Sequence, residues 1–220
     1  ENVDIQLKTS GGHIHLKNLT GNLQFATSGG ALELEKLGGL VKGSTSGGSI
    51  SLIGGAKTID LKTSGGSIDV SDVEGDVNLV TSGGSISLKN IKGTANVKTS
   101  GGAIRVSQLK GELSAVTSAG GIQLNEIAGN VKAKTSAGGI NAQLDELGDS
   151  LELATSAGSI DISVPSLDNL TLELTGQNVK IPELSGFSGE IKKGYVNGKT
   201  GTASKRITAK TTVGTVRLSN

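Results

Sequence analysis

The dipeptide Thr-Ser returns at every eighteenth position from Thr9 to Thr135. The repeating threonines are Thr9, Thr27, Thr45, Thr63, Thr81, Thr99, Thr117 and Thr135. A constant period near 20 residues indicates a solenoid, in which each repeat is one structural unit stacked on the unit before it. The next copy begins at Thr155, two positions later than the period requires, so we expect a bulge or a longer corner within residues 142–150.

Apolar and polar residues alternate within each repeat. In one repeat, Ile59 and Leu61 precede Thr63, while Ile68 and Val70 follow it at an interval of two. Glycines interrupt this alternation directly after Thr-Ser and again near the twelfth position, which predicts two short strands and two corners per turn. The sequence therefore predicts an all-β fold: a single-stranded parallel β-helix, or β-solenoid, with about 18 residues per coil and about ten to twelve coils.

The threonine of each repeat continues the inward-facing series. Its hydroxyl is expected to bond inside the coil, either to a neighbouring threonine or to a carbonyl of the corner. The glycine pairs that follow, such as Gly65-Gly66, are expected to supply positive φ angles where the chain turns. We do not interpret Thr-Ser-Gly-Gly as a phosphate-binding loop, because such a loop needs a helix start or one isolated cluster of amide donors.

The charged residues agree with coils stacked in register. Residues one period apart would lie above one another at a spacing of ~4.8 Å, where like charges repel. Opposite charges are predicted to meet in two places, Lys42 with Asp60 and Lys17 with Glu35. Lys92 above Lys110 is the clear exception, and it falls at a corner where the side chains can separate.

Composition excludes several classes of function. The chain has no Cys, so disulfides and thiolate metal sites are ruled out. Its formal net charge of +1 gives no electrostatic reason to expect a nucleic acid partner. With aromatic residues at 1% and no Met, the core must consist almost wholly of Val, Ile, Leu, Ala and Thr.

The regular pattern fades after about residue 163. Pro165 and Pro182 interrupt the alternation, and Phe187 and Tyr195 are aromatic residues in a chain that has few. We divide one continuous domain into regular coils over residues 1–162, an irregular or decorated segment over 163–206, and a terminal coil over 207–220. The irregular segment is interpreted as a cap over the end of the solenoid or as the place of a functional site.

The repeated KTSGGSI-x-V/L, the intervening I/V-x-G and the closing KTTVGTVRL resemble a bacterial family of adhesin-type β-helix domains. This family occurs in exported and cell-envelope proteins and has long been labelled a domain of unknown function. The resemblance implies a right-handed β-helix at an extracytoplasmic location, which means the cell surface, the periplasm or the envelope. The chain starts at Glu1 without Met or a hydrophobic span, so we expect contact with a membrane only through an anchor outside these residues.

The family offers no catalytic motif, and the function expected is a non-enzymatic, adhesin-like module for interaction or scaffolding at the envelope. Its partner would be a protein or glycan surface. The predicted contact strip consists of outward residues four and six positions after successive threonines: Ser49, Ser51, Ser67, Asp69, Ser85 and Ser87. Short side chains stacked at regular spacing would form a flat surface. The competing interpretation is that serine only keeps an exposed strand soluble.

The alternative function is a carbohydrate-active enzyme or a glycan-binding protein with its site in residues 163–206. The candidate residues there are Asp168, Glu183, Glu190, Lys193 and Tyr195. Acid-base chemistry on sugars needs two carboxylates near one another, or one in an apolar pocket, and the sequence reveals neither. We therefore assign no catalytic residue and expect no enzymatic activity.

Metals and cofactors are not expected. The corners lack the Asp residues of calcium-binding solenoids. His13 and His15 are predicted to point outward from an early strand, with no acidic or thiol side chain nearby. We therefore do not interpret them as metal ligands or as the catalytic base of a solenoid acyltransferase.

The first strand is predicted to leave an open edge. Val3, Ile5 and Leu7 alternate with polar residues, and neither a Pro nor a recognisable cap precedes them. Because an open edge is a template for further strand pairing, we expect it to be covered by other residues or to support self-association.

Overall fold

The computed structural model describes residues 2–220, apart from the side chains of Asn2 and Ala56. It is an all-β structure. The strands are β1 (Asn2–Thr9), β2 (Ile14–Lys17), β3 (Thr20–Thr27), β4 (Leu32–Thr45), β5 (Ile50–Lys62), β6 (Ile68–Val80), β7 (Ile86–Lys98), β8 (Ile104–Val116), β9 (Ile122–Ala137), β10 (Ile140–Ala157), β11 (Ile160–Ser163), β12 (Leu170–Thr175), β13 (Asn178–Lys180), β14 (Phe187–Lys192), β15 (Tyr195–Thr200), β16 (Lys205–Val213) and β17 (Thr215–Ser219).

Each turn of the chain has two arms. Arm A is the segment that ends at the repeating threonine, and arm B begins five residues after it. Successive turns pair in parallel with an offset of one sequence period, so that Ile59 lies beside Val77 on arm A and Ile68 beside Ile86 on arm B. The predicted β-solenoid is confirmed. It has about nine turns rather than ten to twelve, because residues 164–204 do not add ordinary turns.

A hydrogen-bond ladder runs along the corner between arm A and arm B. The Thr63 hydroxyl donates to the carbonyl of Gly48 in the preceding coil at 2.8 Å. The same oxygen accepts the Gly66 N–H of its own corner at 3.3 Å. The prediction that the threonines point inward is confirmed from Thr27 onward, and their partner is a corner carbonyl rather than a neighbouring threonine.

The expected role of the glycine pairs was wrong for Gly65-Gly66 and for the other pairs of the regular coils. Neither Gly65 nor Gly66 has a positive φ angle. Gly66 is required because a Cβ atom there would lie 2.1 Å from the carbonyl oxygen of Gly48, whereas a Cβ on Gly65 would have no heavy atom closer than 3.7 Å. In this coil, positive φ angles occur at the opposite corner, between arm B and arm A, at Asp72 (φ 59°) and Gly75 (φ 145°). In the last coils the corner between arm A and arm B does have a positive φ, at Gly138, Gly158 and Gly214.

The core is one narrow stack of aliphatic side chains between the arms. Phe25 is the exception, since it is only 1% exposed and far larger than its neighbours. The next coil accommodates the ring with a glycine: a Cβ on Gly43 would lie 2.3 Å from Cε2 of Phe25. A large residue and a small residue in consecutive coils thus keep the packing dense.

The predicted charge pairs are partly confirmed. The Lys17 ammonium lies 2.8 Å from the Glu35 carboxylate. Lys42 and Asp60 occupy paired positions, as predicted. The Asp60 carboxylate, however, contacts Lys62 on its own strand at 3.3 Å.

The like-charged pair is also observed, since Lys92 and Lys110 are register partners. The Lys92 ammonium points toward the preceding coil and lies 2.6 Å from the Glu74 carboxylate. This hydrogen bond holds the pKa of Glu74 below its usual range and raises the pKa of Lys92. The neighbouring carboxylate therefore compensates for the repulsion that the sequence indicates.

The longer repeat before Thr155 produces the expected irregularity. The pairing of β9 with β10 shifts between Ala142 and Leu144, and again between Leu147 and Leu151. The extra residues are absorbed there, and the threonine column continues without a break.

The end of the solenoid is not built in sequence order. β16 and β17 stack directly on β10 and β11. β12 and β13, which come earlier in the chain, lie outside β16 and β17. The antiparallel hairpin of β14 and β15 then pairs with β12 through β15. The terminal coil is therefore inserted between two levels that the chain has already passed through.

We predict different effects for the two glycines of one corner. Gly48→Ala should lower the free energy of unfolding by about 1–3 kcal/mol, because its Cβ would lie 2.0 Å from the Gly30 carbonyl oxygen. Gly47→Ala should stay within about 0.5 kcal/mol of wild type. The chain already carries Ala119 and Ala137 at the equivalent position. Urea unfolding followed by circular dichroism measures both, and equal effects would contradict the close-approach argument.

Candidate functional site

The outer members of the predicted contact strip lie in one row on arm B. Ser51 is paired with Asp69, and Asp69 with Ser87, on three consecutive coils. Ser51 and Asp69 are exposed and Ser87 is half-buried. They alternate with fully buried residues such as Ile68 and therefore point away from the core.

The other three strip residues have a structural contact. The Ser67 N–H donates to the Ser49 hydroxyl, the Ser85 N–H to the Ser67 hydroxyl and the Ala103 N–H to the Ser85 hydroxyl, each at 3.3 Å. These hydroxyls satisfy backbone donors where arm B begins. The two halves of the strip therefore differ: one half holds the coils together, and the other faces outward.

The outward row continues well beyond the predicted strip. We give the name polar row to the part of it from Ser51 to Arg217: Ser51, Asp69, Ser87, Arg105, Gln123, Asn141, Asp161 and Arg217. Extending the sequence periodicity would have found its members up to Asp161. Arg217 could not be found in this way, because its place beside Asp161 depends on the inserted terminal coil.

A shallow open depression runs beside the middle of the polar row. Its floor lies where the column of Ser49 and Ser67 continues as Ala103, Gly121 and Gly139, which have little or no side chain. Polar side chains lie along it, and the last of them, Asp161, forms an ion pair with Arg217 at 3.0 Å.

Three side chains beside this depression have hydrogen-bonding capacity to spare. Among the described residues, Arg105, Gln123 and Asn141 make no ion pair or hydrogen bond through their side chains, and all three are exposed. A guanidinium and two amides together offer both donors and acceptors. This arrangement can bind a polar chain molecule laid along the rod.

The groups of the alternative site make local contacts. Asp168 bonds with the Ser166 hydroxyl at 3.2 Å before β12. Glu183 lies exposed in the connection between β13 and β14. Glu190 forms an ion pair with Lys192, two residues along β14, at 2.5 Å. The contacts of Asp168 and Glu190 thus join residues that are two apart in sequence, and the side chain of Glu183 lies in solvent.

The other two candidates of this region lie on the terminal hairpin. The Tyr195 hydroxyl accepts a hydrogen bond from Asn197 at 2.9 Å. Lys193 takes part through its backbone carbonyl, which accepts the Val179 N–H at 2.7 Å. That contact fastens the hairpin to β13.

A charged cluster on arm A links the last levels of the rod. Glu152 contacts Lys134 at 2.7 Å and Lys132 at 2.9 Å, and these hydrogen bonds lower the pKa of its carboxyl. Glu173 contacts Lys210 at 2.6 Å and thereby raises the pKa of that ammonium group. The ion pairs join β9 to β10 and β12 to β16, so we assign them a stabilising role.

Both histidines are exposed, as predicted. The expectation that they lack acidic company was wrong for His15, whose Nδ1 lies 3.2 Å from a Glu33 carboxylate oxygen. His13 Nδ1 accepts the Ala31 N–H at 3.3 Å. Within residues 2–220, no three His, Cys, Asp or Glu side chains come together in a way that could hold a metal ion.

The fold defines this chain as a β-solenoid domain. A family model described as Toastrack DUF4097 matches residues 52–219, and the chain belongs to this family. Comparison with curated proteins and with solved structures gave no significant match. In the described part of the chain, no helix has the length and apolar character needed to cross a membrane.

The two kinds of strip serine should differ in their effect on stability. Ser85→Ala removes the acceptor of the Ala103 N–H and should cost about 0.5–1.5 kcal/mol. Ser87→Ala, two residues away in the outward row, should stay within about 0.5 kcal/mol. Thermal and urea unfolding of the two variants test this, and a larger loss for Ser87→Ala would overturn the assignment.

Removal of metal ions should leave folding unchanged. The His15–Glu33 contact supplies two ligands at most, too few for a structural site of the usual kind. Calorimetric melting with and without EDTA should give the same midpoint. A fall of several degrees would show a site that this interpretation misses.

Proposed function

We propose that this domain is a non-enzymatic, extracytoplasmic interaction module, an adhesin-like scaffold that binds a linear glycan along the polar row. The observation that carries the proposal is the set of Arg105, Gln123 and Asn141, whose polar groups have no partner within residues 2–220 although they line a depression. The carboxylate of Asp161, at the end of this set, is instead paired with Arg217 at 3.0 Å.

The repeat of the rod suits a polymer. Equivalent positions return at each coil, ~4.8 Å apart, so that neighbouring units of a chain molecule can meet the same kind of side chain. A linear polysaccharide presents hydroxyl groups at a comparable repeat. Donors and acceptors from guanidinium and amide groups would bind those hydroxyls. The extracytoplasmic placement rests on the family resemblance and not on this geometry.

We do not propose catalysis in residues 163–206. A glycosidase needs an acid and a second carboxylate placed on either side of a bond. In this segment Asp168 bonds with Ser166, and Glu190 pairs with Lys192. These contacts favour a structural role for the acids over general acid-base chemistry.

The proposal predicts binding that depends on one face of the rod. The wild-type protein should sediment with insoluble peptidoglycan or cellulose, and the triple variant Arg105→Ala/Gln123→Ala/Asn141→Ala should lose at least about tenfold in affinity, as expected when several hydrogen-bonding contacts are removed. The measurement is the fraction of protein that pellets with increasing polymer.

The control is a triple variant on arm A, Asn96→Ala/Lys98→Ala/Glu112→Ala, whose residues are also exposed. It should bind like wild type. Equal binding by both triple variants would remove the polar row as the contact face. Failure of the wild type to pellet with either polymer would reject the glycan as ligand.

A further inference from the structure

The outward face of arm B changes the sign of its charge along the rod. In the early coils, the positions four, six and eight residues after the repeating threonine carry three carboxylates, those of Glu33, Glu35 and Asp69, and one ammonium group, that of Lys17. From β7 onward, the same positions and their register partners carry one carboxylate and four cations: Asp161 against Lys89, Arg105, Arg217 and Lys180. This half of the face therefore has a net charge of +3, although the whole chain carries only +1.

A continuous trough runs along this basic half of arm B. Lys180 pairs with Arg217 in the register of β13 and β17, one level beyond the end of the polar row. A second open depression, lined by Lys180 and Arg217, shares Asn141 and Asp161 with the depression beside Arg105. We call the two together the arm B trough. It extends from Arg105 to Lys180 over five steps between coils, which is ~24 Å at ~4.8 Å per step.

Three of the four cations are available to a ligand. Among the described residues, Lys89, Arg105 and Lys180 form no ion pair or side-chain hydrogen bond, and all three are exposed. Lys89 and Arg105 lie diagonally across the pairing of β7 and β8, so both can reach one ligand group. The fourth cation, Arg217, contacts Asp161 at 3.0 Å and neutralises the one carboxylate at these positions. An anionic ligand would therefore meet available positive charge at both ends of the trough.

Two further acids lie near the trough but outside it. Glu126 is at the corner where arm B ends, with a φ angle of 55°. Asp145 lies between the register shifts of β9 and β10, also beyond the outward positions of arm B. Neither residue lines either depression. The charge that a ligand in the trough would meet is therefore positive.

We infer that the polymer bound along the arm B trough is an acidic glycan, whose carboxylates are bound by Lys89, Arg105 and Lys180. The inference rests on the proposed function and narrows its ligand. A guanidinium group binds a carboxylate through two parallel N–H···O bonds, and an ammonium group adds a compact positive charge. The amides of Gln123 and Asn141, between the cations, suit the hydroxyl groups of the same sugars.

The spacing of the cations favours a sparsely charged polymer over a nucleic acid. Arg105 and Lys180 are ~24 Å apart along the rod, with amides and one closed ion pair between them. Duplex DNA presents about one negative charge per 1.7 Å of its axis. Neither depression of the trough is lined by an aromatic residue on which the bases of a single strand could stack. A glycan with carboxylates on its sugar units matches this charge density better.

The first test compares two soluble ligands that share a sugar backbone and differ in charge, polygalacturonate and its methyl ester. The wild-type protein should bind the acid form at least about tenfold more tightly, because only that form accepts charge-assisted hydrogen bonds from the cations. Raising the ionic strength from about 0.05 M to about 0.3 M should remove most of this difference, since the cations are exposed. Isothermal titration calorimetry measures the dissociation constants.

Single substitutions assign the effect to the trough. Arg105→Gln keeps a polar side chain but removes its charge, and should lower the affinity for polygalacturonate at least about fivefold and that for the methyl ester less than about twofold. Lys98→Gln is the matched control, because Lys98 is an exposed cation on arm A, and it should leave both affinities unchanged. Thermal melting of both variants should match wild type, as is usual for exposed side chains.

The length of the trough predicts a dependence on ligand length. A galacturonate dimer is too short to reach both Arg105 and Lys180, whereas an octamer can reach both. The octamer should bind at least about tenfold more tightly, because its second contact forms within the complex. Lys180→Gln should remove most of this gain and change the affinity for the dimer less than about threefold. An octamer that binds no better than the dimer would contradict the use of both ends.

The outcomes separate this inference from the proposed function. In the pelleting experiment, the wild type should bind peptidoglycan, which carries carboxylates, at least about tenfold more tightly than cellulose, which carries none. Equal affinity for the acid and the ester, lost for both in the triple variant of Arg105, Gln123 and Asn141, would overturn the acidic ligand and support the glycan proposal. Undiminished binding of polygalacturonate to Arg105→Gln, or tighter binding of duplex DNA, would also overturn the inference. Absence of binding to every one of these glycans would reject the proposed function itself.

Discussion

The hydrogen bond from each threonine hydroxyl to a glycine carbonyl one coil below sets the distance between coils at the corner. This contact needs the carbonyl to come very close to the backbone of the next coil, and a Cβ at Gly66 or Gly84 would lie within 2.1 Å of it. Threonine supplies the donor from the core side, and glycine supplies the space. Because the coils are held at one spacing there, the aliphatic ladders, the polar row and the ion pairs between coils all come into register.

Much of this fold could be predicted because the repeat is nearly perfect. Each residue of a regular coil therefore pairs with the residue at the same position of the next coil. Alternation with a period of two identified the buried residues, including Ile59, Ile68 and Thr63. The glycine roles were harder to predict, because close approach and positive φ both favour glycine. The sequence did contain a signal: Ala119 and Ala137 stand in for the first glycine of the pair, while the second is retained at Gly120 and Gly138.

The end of the rod could not be predicted from periodicity. Ile160 pairs with Val216 in the last strand of the chain, whereas the repeat would have placed Asn178 beside it. The same non-local pairing brings Arg217 to Asp161 and completes the polar row. Part of the candidate site was similarly concealed, because serines four positions after the threonine and those six positions after it look equivalent in the sequence. Only the register of backbone N–H groups shows that Ser67 and Ser85 hold the coils together, and that Ser51 and Ser87 belong to the outward row.

The inserted terminal coil has a consequence for the order of assembly. β16 and β17 occupy a level between β10–β11 and β12–β13, yet they leave the ribosome after both of these neighbours. Until β16 and β17 are synthesised, β12 and β13 have no parallel strand to pair with. The position next to β10 and β11 stays unoccupied during that time. Filling that position brings together segments far apart in sequence, which makes it a slow, late event in folding. The earlier coils can therefore stack as they are synthesised, whereas the C-terminal end of the solenoid can fold completely only after residues 205–219 have been added.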